Sequence, residues 1–383
     1  MRVFAIAPGE TRPAYPAVMG ATIKGRGSRQ YLPGRFETTT TEAVDDGWTV
    51  RGHPATADEE SGPDPLRPRT EVREETARSI ISRNSSPDVG FSQSVNPYRG
   101  CEHGCSYCFA RPSHAYLNLS PGLDFETKIF AKTNAPELLR RELSRKGYQP
   151  SPIALGINTD AYQPLERRLR LTRQLLEVML EFRHPVSLVT KNALVERDLD
   201  LLQPLAEQDL VHVHFSVTSL DPHLSAKLEP RAAAPHARLR AMEKLHAAGV
   251  PVGVLFAPTI PWVNDHEMEA VLEAARAAGA SSASYILLRL PHEVAPLFRD
   301  WLQAHVPDRA AHVMSTLQQM RGGRDYESGF GTRMRGRGRY ADLLEQRFVL
   351  AWRRFGYAGL REHRLDCSRF APPRAASPQG ELF

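Results

Sequence analysis

Between residues 90 and 290 short apolar runs alternate with amphipathic stretches. The runs fall at 90–95, 153–157, 186–190, 211–217, 251–257 and 284–288, and they predict strands. Between them, Leu165, Leu169, Leu176 and Leu180 recur at helical spacing with charges interleaved. Leu239, Met242 and Leu245 repeat the pattern, as do Met268, Val271 and Leu272. Six strand–helix repeats predict βα units on a parallel sheet, too few to close a standard eight-stranded barrel.

On either side the pattern weakens. Residues 1–87 are rich in Gly, Pro, Thr, Arg and acidic side chains and predict an irregular arm wrapping a core at 88–290. Within the arm, Lys24, Gly25, Arg26 and Gly27 form a small basic loop, read as a flexible linker or a ligand contact. Residues 1–20 read as a flexible lead, or as sequence upstream of a start at Met19. Residues 291–383 predict an extension of helical stretches, an Arg/Gly-rich loop and a last helix over 343–355. No apolar run reaches the length of a membrane span, and no basic-then-apolar leader is present, so a cytoplasmic protein with no membrane partner is expected. A formal net charge of +5 permits a nucleic-acid partner without arguing for one.

The chemistry concentrates at residues 100–111, Gly-Cys-Glu-His-Gly-Cys-Ser-Tyr-Cys-Phe-Ala-Arg. Three of the four cysteines, Cys101, Cys105 and Cys108, stand in a CxxxCxxC spacing. Three thiolates so close can hold one corner each of an inorganic cluster and leave one iron open. Tyr107, just before the third cysteine, suits a cofactor held beside it. The alternative is zinc, with His103 or His114 completing the shell. Cys367 stands apart; it reads as an inert buried thiol, a hydrogen-atom donor or a second-site ligand.

In βα folds, ligands sit beyond the C-terminal strand ends. The second strand ends in Asn158, Thr159 and Asp160, and the third in Thr190 and Lys191. Alternation along the fourth puts His212, His214, Ser216 and Thr218 on one face, toward the lumen, and Val213, Phe215 and Val217 on the other. The fifth runs into the apolar turn 256–264. Arg289, at the end of the sixth, needs a partner: a substrate anion, or a structural acid such as Glu229. Arg333, Arg335, Arg337 and Arg339 read as a phosphate grip or as a solvated loop near Asp325, Glu327 and Asp342.

The cysteine run resembles that of the radical S-adenosylmethionine (SAM) superfamily, and its flanks most resemble the spore photoproduct lyase-related branch. The resemblance covers roughly residues 90–290. It implies an open, partial (β/α)6 TIM-type barrel and a 4Fe–4S cluster on Cys101, Cys105 and Cys108. It further implies SAM on the open iron, cleaved to a 5′-deoxyadenosyl radical, and a reductant such as flavodoxin or ferredoxin as partner. Contacts to SAM are implied for Tyr107, Thr159, Asp160, Lys191, Ser216 and Thr218. Thr159, Lys191 and Ser216 fall where that branch places a hydroxyl, a lysine and a serine, and the turn at 256–264 would form the wall beside the adenine. The branch also carries a catalytic cysteine near the second strand's end, and this chain has none between Cys108 and Cys367. The substrate class, whether nucleic acid, peptide or small metabolite, therefore stays open. The rival function is a zinc-stabilised nucleic-acid-binding module built on the Arg/Gly segment.

Overall fold

The computed structural model describes residues 23, 25–37, 68–357 and 365–373. Most of the expected arm, including Lys24 of its basic loop, lies outside the described residues. Each of the six apolar runs contains a strand: β1 (Gln93–Val95), β2 (Ile153–Leu155), β3 (Val186–Thr190), β4 (Val211–Ser216), β5 (Val252–Thr259) and β6 (Ser282–Leu287). They pair in sequence order and all in parallel. Among the described residues the sheet is open, since β6 at one edge does not pair with Ile81–Arg83 at the other.

Helices α1 (Ala135–Leu143), α2 (Leu171–Glu181), α3 (Leu199–Ala206), α4 (Pro235–Ala247) and α5 (Met268–Ala277) occupy the successive crossovers. Their apolar stripes bury against strand residues such as Leu188, Val213, Phe215 and Val254. The stripe expected over 165–180 is split. Arg170 adopts a left-handed conformation (φ 53°), which ends a short helix at Glu166–Leu169 before α2 begins. The buried stripe of α2 is then Leu175, Leu176 and Met179, with Leu180 only partly covered.

Two strands stand inside the stretch expected to be irregular. Ile81–Arg83 runs antiparallel to β1, and Glu71–Glu74 pairs with Lys128–Ala131, which also pairs with Tyr98–Arg99. These strands are short, polar and half-exposed, so they carry no apolar signature. Their partners lie in the core, and pairing supplies what periodicity does not.

The extension holds α6 (Val294–His305), α7 (Pro307–Gln319) and α8 (Arg339–Arg354). The last helix thus starts at Arg339, earlier than expected. The Arg/Gly segment before it is not a free loop. Leu287 N donates to Met334 O (2.9 Å) at the open edge of β6, and Arg337 N to Met320 O (3.1 Å). An unpaired strand edge is a template for such covering. The segment 365–373 packs at the opposite end of the sheet. Asp366 N donates to Asp209 O (2.9 Å) and Ala371 N to Phe182 O (3.0 Å), both just ahead of strand starts. Cys367 therefore sits half-buried at the N-terminal strand ends, away from the cysteine loop, which removes the hydrogen-donor reading at that site. No helix among the described residues is long and apolar enough to cross a membrane.

Residues 25–37 clamp the cysteine loop. Arg111 and Glu126 form an ion pair with both side chains fully buried. Arg111 also donates from Nε to Cys105 O (2.9 Å) and from Nη1 to the carbonyls of Pro121 and Gly122 (3.1 and 2.9 Å). Glu126 accepts from Gly27 N (3.0 Å) and Ser28 N (2.8 Å), while Arg26 Nη1 donates to Glu126 O (2.8 Å). The backbones approach so closely that a Cβ added at Gly27 would lie 1.6 Å from Gly104 O. The basic Gly loop is thus neither linker nor ligand contact at these residues, but a structural clasp.

The clasp gives a stability prediction. Glu126→Gln leaves the Arg111 guanidinium buried without its counter-ion, and about 3–5 kcal/mol should be lost. Gly27→Ala should cost about 1–3 kcal/mol through overpacking. Urea denaturation of the two variants and the parent checks both. An unchanged midpoint for Glu126→Gln would show that the pair does not hold the loop.

Candidate active site

The cysteine loop follows the strand Tyr98–Arg99 and turns across the C-terminal ends of the parallel strands. Cys101 N donates to Phe125 O (2.9 Å), Ser106 N to Leu228 O (3.0 Å), and Arg231 N to His103 O (3.3 Å). Cys101 and Cys105 are buried, Cys108 is half-buried, and all three are free thiols. Burial pushes all three thiols up. Asp160 adds to the rise at Cys101 and Glu229 to that at Cys105. Lys191 pulls Cys105 and Cys108 down, and Arg111 does so more strongly at Cys108. The thiols therefore face the exits of β2 and β3, where Asp160 and Lys191 stand.

At the exit of β2, Thr159 Oγ1 donates to Tyr98 O (3.3 Å) and Asn158 N to Asn96 Oδ1 (2.9 Å). Asp160 accepts from Lys191 N (2.7 Å), Thr190 Oγ1 (2.8 Å) and Tyr162 N (2.8 Å), with His103 Nδ1 at 3.3 Å. Burial pushes its carboxyl up, but His103 and the backbone N–H groups outweigh that and hold it at about 2. Lys191 Nζ donates to Ser216 Oγ (2.7 Å), whose hydroxyl donates to Ala257 O (2.9 Å). The lumen face of β4 carries Ser216, with His212 and His214 further back, their ring centroids 4.1 Å apart. Thr218 follows the strand's end, and Val213, Phe215 and Val217 fill the helix-side core.

A second buried carboxylate ties these ends to the loop. Glu229 accepts from Tyr107 OH, from Thr218 Oγ1 (2.5 Å) and from Arg238, and lies 4.0 Å from Lys191 Nζ. Burial opposes its charge, yet Arg238 and Lys191 hold it below the usual carboxylate range. Arg238 completes its bonding on the carbonyls of Ala233 (2.7 Å) and Ser216 (2.8 Å). Glu229 is therefore not the partner of Arg289. Tyr107 turns its hydroxyl inward to this acid and so braces the loop.

Of the residues singled out by sequence, the structure brings Asp160, Lys191 and Ser216 together, and Tyr107 with Thr218. Thr159 is tied back to Tyr98. His114 is not turned to the thiols: its Nε2 lies 3.0 Å from Lys128 O, and its ring packs on Phe125 and Phe130. Among the described residues no three His, Cys, Asp or Glu side chains converge where one metal ion would sit. Sequence reasoning missed Arg111, Glu126 and Arg238. No signal marks the last two, since Glu126 stands between Asp124 and Lys128 and Arg238 between His236 and Arg240.

Residues 95–275 match the family model of the Radical SAM superfamily. An uncharacterized protein of Mycobacterium tuberculosis (strain ATCC 25618 / H37Rv) is 38% identical over 220 residues, covering 57% of this chain and 65% of that protein. The chain thus spans just under two thirds of that relative's length. An uncharacterized protein of Methanocaldococcus jannaschii is 27% identical over 202 residues, covering 53% of this chain and 73% of its own. Among solved structures, a mutant of spore photoproduct lyase with bound AdoMet and dinucleoside spore photoproduct superposes with a TM-score of 0.53 at 17% identity, covering 75% of this chain and 80% of that one. At that identity the likeness speaks for the fold, a mixed α/β architecture on a parallel sheet. Over residues 95–275, just under half of the chain, the protein is thus similar to the Radical SAM superfamily, and the cysteine loop at the strand ends lies within that stretch.

Proposed function

We propose that the chain is a radical SAM enzyme whose Cys101, Cys105 and Cys108 hold a 4Fe–4S cluster at the mouth of a partial (β/α)6 barrel. The observation that carries this reading is the grouping of three free thiols at the strand ends, Cys101 beside Asp160 and the other two near the Lys191 ammonium, which donates to Ser216. When bound and reduced by one electron, the cluster and SAM supply a 5′-deoxyadenosyl radical for abstraction of a substrate C–H hydrogen.

The chain's own residues hold and orient. The Lys191 ammonium lies near the Cys105 and Cys108 thiols, and a SAM carboxylate fits it as a point-charge partner. Its bond to Ser216 and its distance from Glu229 keep the side chain extended across the site. Asp160 fixes the β3 exit through Thr190 and the Lys191 backbone. Thr159 and Thr218 supply hydroxyls at the flanking exits, and Tyr107 locks the third cysteine's turn onto Glu229. A thiol-ligated cluster fits the reducing cytoplasm, with flavodoxin or ferredoxin as the electron donor. Nucleic acid is one candidate substrate, and three arginines of the Arg/Gly segment are engaged within the protein. Arg333 is bound by Asp88, Arg337 by Glu327, and Arg335 lies 3.8 Å over the Tyr285 ring.

Alanine at Cys101, Cys105 or Cys108 should abolish the iron–sulfur absorbance of protein purified without oxygen, whereas Cys367→Ala should keep it. A full cluster in Cys105→Ala would sink the assignment. Lys191→Ala and Ser216→Ala should each weaken SAM binding about tenfold, the loss of roughly one charge-assisted hydrogen bond. Cluster content should stay at the parent level. Equilibrium dialysis with labelled SAM measures the first and iron analysis the second; unchanged affinity in both variants would refute the strand-end assignment.

A further inference from the structure

Two arginines meet at the exit of β6 with no carboxylate paired to either among the described residues. Arg289 donates from Nη2 to Tyr326 OH (3.1 Å) and from Nη1 to Met334 Sδ (3.7 Å). Its Nε is buried and bonded to nothing. Arg321 is 1% exposed and gives its guanidinium only to carbonyls, those of Leu288 (2.9 Å), Thr332 (3.3 Å) and Arg333 (2.6 Å). Its Nε is also buried without a partner.

The two charges feel each other. Burial and the neighbouring Arg289 charge push Arg321 down to about 10. Tyr326 and Glu327 oppose this only weakly. Glu327 is already engaged, since both its oxygens accept from Arg337 (3.0 and 2.9 Å). Glu229, a buried acid of the mouth, is taken by Arg238. Charge this deep is ordinarily paired, because removing it from water costs several kcal/mol. The Arg289 guanidinium and a phenol hydroxyl make a donor set for a planar or tetrahedral oxyanion, with the buried Arg321 charge behind them.

The location points to substrate. The Arg289 guanidinium sits 5.2 Å over the ring of Phe109, the residue immediately after Cys108. Phe109 is 41% exposed, an apolar face at the rim of the cysteine loop. We propose that Arg289, with Tyr326 beside it and Arg321 beneath, binds an oxyanion of the substrate, carboxylate or phosphate, while Phe109 packs against the substrate's body. This deepens the radical SAM reading and rests on it. It places the anionic group on the β6 side of the mouth, across the sheet from Asp160.

The test is arginine-selective modification with phenylglyoxal on the cluster-loaded chain, mapped by peptide mass spectrometry. Three arms are run: no added anion, inorganic phosphate, and acetate at the same ionic strength. Several-fold slower modification of Arg289 is expected in at least one oxyanion arm, with the exposed Arg145 unaffected. Protection by phosphate alone assigns a phosphate, and protection by acetate assigns a carboxylate. Calorimetric titration with the protecting anion should give a binding heat for the parent and none for Arg289→Gln. Equal modification rates in all arms would overturn the proposal, as would an undiminished heat in the variant. Formation of 5′-deoxyadenosine is recorded in the same parent preparation. Intact SAM cleavage with no protection thus defeats the anion site alone.

Discussion

The buried ion pair between Arg111 and Glu126 sets the shape of the cysteine loop. Such a pair repays its desolvation only when every remaining donor and acceptor is also satisfied. Here the outlying partners are carbonyls of the loop itself and two backbone N–H groups of residues 27 and 28. The loop's geometry is therefore conditional on a segment some hundred residues upstream. Short-range spacing brings the thiols near one another, and the clasp decides which way they face.

A second carboxylate, Glu229, does for the strand ends what Glu126 does for the loop. It collects Arg238 from α4, Thr218 from the end of β4 and Tyr107 from the loop. Asp160 plays the matching part on the other side, between the β2 and β3 exits and His103. Lys191 lies between the two acids, its backbone on one and its ammonium near the other. In a low-dielectric interior such a satisfied network is rigid, and a half-satisfied one is costly. Positioning of the ammonium follows from that rigidity.

Much of this was legible in the sequence, and the physics explains which part. The six strands announce themselves because buried parallel strands must be apolar, as in Val186–Thr190 and Val211–Ser216. Lys191 and Ser216 were readable because strand ends meet in any parallel sheet with sequential order. The pairs Arg111–Glu126, Arg238–Glu229 and Arg333–Asp88 were not. A charge has no periodicity that names its partner, and Arg333 and Asp88 stand 245 residues apart. The strands Glu71–Glu74 and Ile81–Arg83 escaped for a related reason: they exist by pairing with core edges, not by apolar patterning.

Charge is settled differently on the two sides of the mouth. Next to Cys101 and Cys105 each buried acid has its cation or its N–H donors, so the thiols sit in a field the protein has already balanced. At the β6 exit the same accounting leaves Arg289 and Arg321 in excess. The Arg/Gly segment covers the open sheet edge there, and in doing so it buries Arg321 instead of neutralising it. Acids were at hand for that purpose: Asp88 and Glu327 both lie on this side and are bound to Arg333 and Arg337. The segment thus satisfies its own arginines and withholds carboxylates from the pair that faces the mouth. In the proposed radical SAM enzyme that asymmetry would keep the balanced half rigid around the cofactor, while the unbalanced half would gain stability when an anion binds.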